Sequence, residues 1–364
     1  MGRKVTIQDI AEELGISRNT VSKAINNAPG LADATRERIL KKAVEMGYKQ
    51  FSYFTARPDL RPAFAESESS AFPPEAYRAD EAKAGEIAVL TAKRLDYSHF
   101  ASSMLDRFQQ EIGRLGYSVG VYEIPPEQLT ALALPPAFHP EQAAAVVCIE
   151  VFARRYAEMV CALGLPTLFI DGPTFFHGGA LPTDQLYMEN TTEISRLVHE
   201  LIQQGKKRMG FVGDYAHCES FLERYLSLRT ALMFSGVPFE EGFCVKSNDR
   251  QTIFRQIQAM PILPDVFLCA NDFLAIDTLD ALRELGKTVP GHVLLCGFDD
   301  SPESRRMMPP LTTVHIHTEI MAFSAVQLLT TRIREPNLDY RIVHTQTDLI
   351  RRESTRCQRE ESDG

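Results

Sequence analysis

Residues 4–26 read KVTIQDIAEELGISRNTVSKAIN. Two short helices separated by one glycine are written in that string. Thr6 is placed to cap the first, with Asp9 three residues on in a capping-box arrangement. Ile10, Ala11 and Leu14 then share one helical face. Gly15 supplies the left-handed residue that ends a helix, and Ser17 is placed to cap the next. In that second helix Val21, Ala24 and Ile25 point one way, while Arg18, Asn19, Ser22, Lys23 and Asn26 point the other. Folding alone does not call for so wide a polar face on so short a helix. It suits a helix laid in a DNA major groove, where Arg reads guanine, Asn reads adenine and Ser or Lys holds phosphate.

The plainer reading of the same spacing is a small helical cap with a solvated face. The exact string goes further. V-T-I-x-D-I-A, G-I-S-x-x-T-V-S and a later G-Y closely resemble the N-terminal domain of the lactose-repressor (LacI/GalR) family of bacterial transcription regulators. Val5, Thr6, Ile7, Asp9, Ile10, Ala11, Gly15, Ser17, Thr20, Val21, Ser22, Asn26, Thr35, Arg36, Gly47 and Tyr48 carry the match. The resemblance implies a helix-turn-helix in which Thr6, Ser17, Arg18, Asn19, Thr20, Ser22, Lys23 and Asn26 are the candidate DNA contacts.

Charge follows the same division. Residues 1–50 hold nine Lys/Arg against six Asp/Glu, a net of +3 in a chain whose total is −9, so the remainder stands at −12. Attraction for phosphate is confined to the N-terminus. At 364 residues the chain is too long for one core and should divide into domains. No apolar run approaches the ~18 residues of a membrane span, and the N-terminus lacks a signal-peptide core, so a cytoplasmic, nucleoid-associated protein is expected. The seven cysteines, at 148, 161, 218, 244, 269, 296 and 357, include no C-x-x-C pair. Neither a zinc site nor a disulfide framework is indicated, and no cofactor is expected.

A third helix is expected over 33–46, with Ile39, Leu40, Ala43 and Val44 closing a three-helix core. Residues 51–85 read as a hinge or linker: Pro58, Pro62, Pro73 and Pro74 frame a Ser/Glu/Ala run. Here the chain departs from the family, whose relatives carry a hinge helix that wedges a leucine into the minor groove. Phe51 and Arg57 stand where that helix wants Asn and Leu, and Pro58 follows directly.

From residue 86 to 354 short apolar runs alternate with amphipathic helical patterns. The runs are 87–91, 117–122, 144–149, 167–170, 209–212, 266–269, 293–296 and 313–316. The helical patterns are 101–115, 191–204, 221–235 and 273–285. This is the signature of α/β architecture with parallel sheets covered on both faces. Two groups, before and after about residue 188, predict two lobes, an arrangement that resembles the two-lobed, periplasmic-binding-protein-like core of the same family. Residues 355–364 form a polar tail.

Ligands of open α/β sheets bind outside the carboxyl ends of the strands. That rule, with the family resemblance, selects Phe100, Asp171, Asn190, Arg224, Asn271 and Asp299 as candidate effector contacts. Asp and Asn accept from hydroxyls, Arg offers a fork of donors, and an aromatic face stacks on a ring, a set suited to a hydroxyl-rich small molecule such as a carbohydrate. Asp272 and Asp300 read equally well as helix caps. Relatives place a sugar-contacting Gln where Ile316 stands.

The leading reading is a homodimeric, effector-controlled regulator, most simply a repressor, acting on a near-palindromic double-stranded operator. It requires no membrane and no catalysis. The alternatives are a cytoplasmic small-molecule-binding protein or an enzyme with a non-regulatory helical cap. No G-x-G-x-x-G, P-loop, G-x-S-x-G or H-E-x-x-H favours the enzyme.

Overall fold

The computed structural model describes residues 7–25, 35, 38, 39, 41, 42, 46, 85–92, 99–176 and 178–356. Thr6, Asn26, the residues at 40, 43 and 44 expected to close the third helix, the linker with its hinge question, and the tail from Cys357 lie outside those residues. The chain divides into two compact units, Met1–Ala76 and Tyr77–Gly364.

In the first unit, α1 spans Ile7–Leu14 and α2 spans Arg18–Ile25. Gly15 links them with φ +64°, a conformation that costs a residue with a Cβ. The N–H groups of Ile16 and Gly15 return to the carbonyls of Ala11 (3.0 Å) and Glu12 (3.2 Å), closing α1. Ser17 Oγ accepts the Thr20 N–H at 3.1 Å, the expected cap of α2. Ile10, Ala11, Val21, Ala24 and Ile39 are buried, so the apolar face read from the sequence is the core of this unit. Lys42 meets Glu13 at 3.4 Å on its surface.

The second unit holds a six-stranded sheet in the order β10-β5-β4-β3-β1-β2 and a three-stranded sheet in the order β6-β7-β8. The strands are β1 Glu86–Thr91, β2 Ser118–Glu123, β3 Ala143–Ile149, β4 Thr167–Ile170, β5 Asp184–Met188, β6 Met209–Val212, β7 Val266–Cys269, β8 Leu294–Cys296 and β10 Ile342–Thr345. Every pairing within these two sheets is parallel. Most strands are buried along their length, as parallel sheets between helical layers must be.

Three features depart from the sequence reading. First, β9 (Thr313–Ile316) pairs antiparallel with β11 (Thr347–Ile350), so the sheets are not all parallel. Second, β5 was not expected, because Asp184 and Gln185 break its apolar run. Asp184 is fully buried yet matched, accepting from Arg332 Nε at 3.1 Å and Arg341 Nη2 at 3.1 Å. Third, the helix Thr318–Arg334 shows no amphipathic stripe. It packs against the helix His99–Gly113 and against β4 and β5 of the first sheet, burying Met321, Ala322, Ala325, Leu328 and Leu329. Each Leu or Met buried this way contributes roughly 1.5–3 kcal/mol. Because β10 also joins the first sheet, the chain returns to that lobe after building the second, and no single cut near residue 188 separates them. No described helix is long and apolar enough to cross a membrane.

Candidate nucleic-acid interface and effector cleft

On α2, Arg18, Ser17 and Lys23 are exposed, opposite the buried Val21 and Ala24. Arg18 opens the helix, the end that meets base edges first in a helix-turn-helix. Ser17 and Thr20 hold one another, Oγ to Oγ1 at 2.8 Å, so part of their hydrogen-bonding capacity serves the cap. Asn19 and Ser22 lie on α2, and their side chains are not described.

The second cluster gathers where strands end. Arg224 projects from the helix Glu219–Phe234 and is 3% exposed. Its Nε donates to Asn190 Oδ1 at 2.9 Å, and its Nη1 donates to the Ala270 carbonyl at 2.6 Å. Asn190 follows β5 in the six-stranded sheet, whereas Ala270 follows β7 in the three-stranded sheet. One guanidinium therefore bridges the carboxyl ends of both sheets. It lies over the Phe298 ring, 3.5 Å from the centroid, a cation–π contact that fixes its plane. Asn190 is held from its other side, donating to the Met188 carbonyl (3.0 Å) and Glu223 Oε2 (2.7 Å).

Two carboxylates complete the group. Asp299 stands with Oδ1 4.0 Å from Arg224 Nη1, and its φ is +117°. Asp171 follows β4 with φ +51° and accepts from Ser220 Oγ at 2.6 Å. Burial pushes the Asp171 carboxyl up to about 7, against the opposing pull of the Ser220 hydrogen bond and Arg224. Burial also drives Asp299 well above the carboxylate range, with Arg224 opposing and Asp272, Glu150 and Asp171 adding to the rise. Left-handed backbone at non-glycine residues is costly and persists where the surroundings demand it, which for both falls at a strand end.

The remaining candidates fare differently. Asn271 caps the helix Asp272–Glu284 through Oδ1, accepting the Leu274 N–H at 3.0 Å, which leaves its amide nitrogen outside the cap. Phe100 is 5% exposed and packs in the main core, offering packing rather than an open stacking face. Asp272 and Asp300 are not caps; Asn271 and Ser301 fill that role. Asp272 is fully buried and accepts from the Ser301 N–H (2.7 Å) and Thr313 Oγ1 (2.6 Å). Asp300 gathers Arg305, Arg352 and His315; burial alone would raise its carboxyl, and these partners hold it well below the usual range. Ile316 is buried in β9 opposite Thr347. The sequence reading missed Glu150, which follows β3 as Asp171 follows β4, and also Ser220 and Glu223. The strand-end rule that selected Asp171 points to Glu150 equally; Ser220 and Glu223 sit on a helix and carry no such signal.

Residues 6–50 match the model of bacterial regulatory proteins, lacI family, and residues 198–355 match that of the periplasmic binding protein-like domain. The chain belongs to the LacI family of bacterial regulators. Its relatives match end to end. The HTH-type transcriptional regulator GalR of Lacticaseibacillus casei is 27% identical, covering 96% of this chain and 99% of that protein. GanR of Bacillus subtilis is 26% identical over the same shares. The transcriptional repressor PurR of Mannheimia succiniciproducens is 22% identical, covering 96% and 98%. Among solved structures, a complex of the transcriptional regulator CelR with cellobiose superposes with a TM-score of 0.65 at 20% identity, covering 96% of this chain and all of that one. A lac repressor dimer bound to operator and an anti-inducer gives 0.61 at 19%, covering 97% and 99%. This LacI-family chain is a DNA-binding transcription regulator, as its curated relatives are, rather than an enzyme.

Proposed function

We propose that this regulator acts in the cytoplasm as a homodimeric repressor on a near-palindromic operator, read by Arg18, Asn19 and neighbouring residues of α2. Its effector is a carbohydrate or carbohydrate derivative that binds among Asp171, Asn190, Arg224, Asn271 and Asp299, with Phe100 in the wall behind. The observation that carries the reading is Arg224, a buried guanidinium shared between Asn190 of one sheet and Ala270 of the other. A ligand hydroxyl that competes for this guanidinium, or for Asn190, acts on both lobes at once. Its binding energy is then exchanged for a change in lobe geometry, the differential contact that coupling to DNA requires. The CelR–cellobiose likeness supports a sugar in such a fold.

Operator selection from random duplex DNA with the full chain, followed by anisotropy titration of the selected site with a sugar panel, tests this reading. A near-palindromic consensus and a sugar that shifts operator affinity are expected. An asymmetric consensus would remove the dimer, and a sugar response that persists unchanged in Arg224→Lys would remove the cleft. Arg-to-Lys at a forked, stacked site is not conservative, since the ammonium lacks both the fork of separate nitrogens that reaches Asn190 and Ala270 and the planar stack.

A further inference from the structure

Among the described residues, the effector cleft sets two buried acids, Asp171 and Asp299, against one cation, Arg224. Ile149 and Ile170 are register partners, so Glu150 and Asp171 leave adjacent strand ends side by side. Their N–H groups extend the ladder one step further, to the carbonyls of Ile170 (3.2 Å) and Leu186 (3.1 Å), and both residues turn through left-handed φ, +54° and +51°. Asp299 comes from the end of the other sheet, its N–H on the Val314 carbonyl at 2.9 Å. Arg224 is the guanidinium that Asp171 and Asp299 share, and two of its donors are already committed to Asn190 and Ala270.

Two carboxylate groups have bonding capacity left over. Asp171 is 6% exposed; Ser220 serves Oδ1, and among the described residues Oδ2 has no hydrogen-bond partner. The Asp299 side chain is 17% exposed and accepts no hydrogen bond among the described residues, with Arg224 Nη1 at 4.0 Å, beyond bonding distance. Burying a carboxylate without donors is expensive, and elsewhere this fold avoids it. Asp184 has Arg332 and Arg341, Asp265 has Arg208, Asp300 has two arginines and a histidine, and Asp272 has an N–H and a hydroxyl. The cleft is where the matching stops. Burial shifts the Asp171 and Asp299 carboxyls upward, against ionisation, and the same shortage of donors leaves that shift unanswered.

Resting on the effector reading above, we propose that the effector carries an ammonium group, as an amino sugar does, seated against Asp171, Asp299 and Glu150. An ammonium supplies three donors and one positive charge, matching two unfilled acceptor groups and the charge excess together. A neutral sugar supplies donors but no charge. A sugar phosphate or uronic acid brings an anion to carboxyls that burial already keeps from ionising, and is disfavoured. Arg224 then binds ring hydroxyls rather than a ligand anion.

Calorimetry and thermal shift on the full chain at neutral pH test this with glucosamine, galactosamine and a glucosamine disaccharide, beside glucose, galactose, cellobiose and glucose phosphate. An amino sugar is expected to bind about tenfold or more tighter than its neutral parent, as a charge-assisted contact requires. Asp171→Asn, which keeps an acceptor for Ser220, should erase that preference, as should Glu150→Gln. Neutral and amino forms binding equally, a phosphate binding best, or no response to any amino sugar overturns the ammonium. The cleft reading survives the first two of those results if Arg224→Lys abolishes the binding seen, and fails if it does not.

Discussion

Asp171→Asn should make the ligand-free protein more stable above neutral pH. Asp171 is 6% exposed, and burial holds its carboxyl near 7, whereas an unfolded Asp ionises near 3.9. Between those values the native state binds a proton that the unfolded state has released. Unfolding free energy therefore falls as pH rises, by about 1.4 kcal/mol per pH unit, and levels off above about pH 7. The full penalty is three such steps, on the order of 4 kcal/mol. Asn presents the same acceptor to Ser220 Oγ, now 2.6 Å from Asp171 Oδ1, without a charge to bury. Urea denaturation of wild type and variant at steps between pH 4.5 and 8.5 measures the difference. The two should nearly coincide at the acid end, diverge through the middle and reach a plateau of a few kcal/mol in favour of Asn. A difference independent of pH, or an Asn variant less stable at pH 8, would refute the buried-charge argument.

Three further outcomes are expected. Arg18→Ala should cost about 1–3 kcal/mol on the selected operator and relax preference at one or two base positions, while Lys23→Ala should lower the salt slope by about one; repeated selection and salt titration check both. Asp184→Ala strands Arg332, whose side chain is 5% exposed, and should destabilise the core by about 3–5 kcal/mol in denaturant. Burial alone would raise the Asp184 carboxyl, but Arg332 and Arg341 hold it below the ordinary value, so that stability is present above about pH 4 and lost as pH falls further. Gly297→Ala would place a Cβ 2.3 Å from Asp272 Oδ1 and 2.7 Å from Leu311 Cδ2, and a loss of about 1–3 kcal/mol should appear in thermal unfolding.

Where the sequence spoke clearly, one local rule sufficed. Gly15 and Ser17 mark the break and the cap because each acts within a few residues of itself. β4, β6 and β7 were legible to the residue as short, mainly apolar runs, and β9 as the alternating run Thr313–Ile316. β5 was not, because its polarity is answered by Arg332 and Arg341, about 150 residues away in the chain. The helix Thr318–Arg334 failed for a related reason: its buried positions include Thr330 and Arg332 beside Met321, Ala325 and Leu329, so polar residues blur the apolar stripe. In the cleft, Asp171, Asn190, Arg224 and Asp299 were reachable through strand ends and resemblance. Their mutual distances, and the unfilled oxygens of Asp171 and Asp299, arise from the crossing of two lobes, which no spacing encodes.

In the function proposed above, a ligand at Arg224 and Asp299 controls operator affinity. Operator binding by anisotropy, for wild type and Arg224→Lys, with and without the bound sugar identified by calorimetry, tests it most directly. Ligand should shift wild-type operator affinity by about 5- to 150-fold. Arg224→Lys should hold the unliganded affinity and lose the shift. An equal shift in both proteins would contradict it.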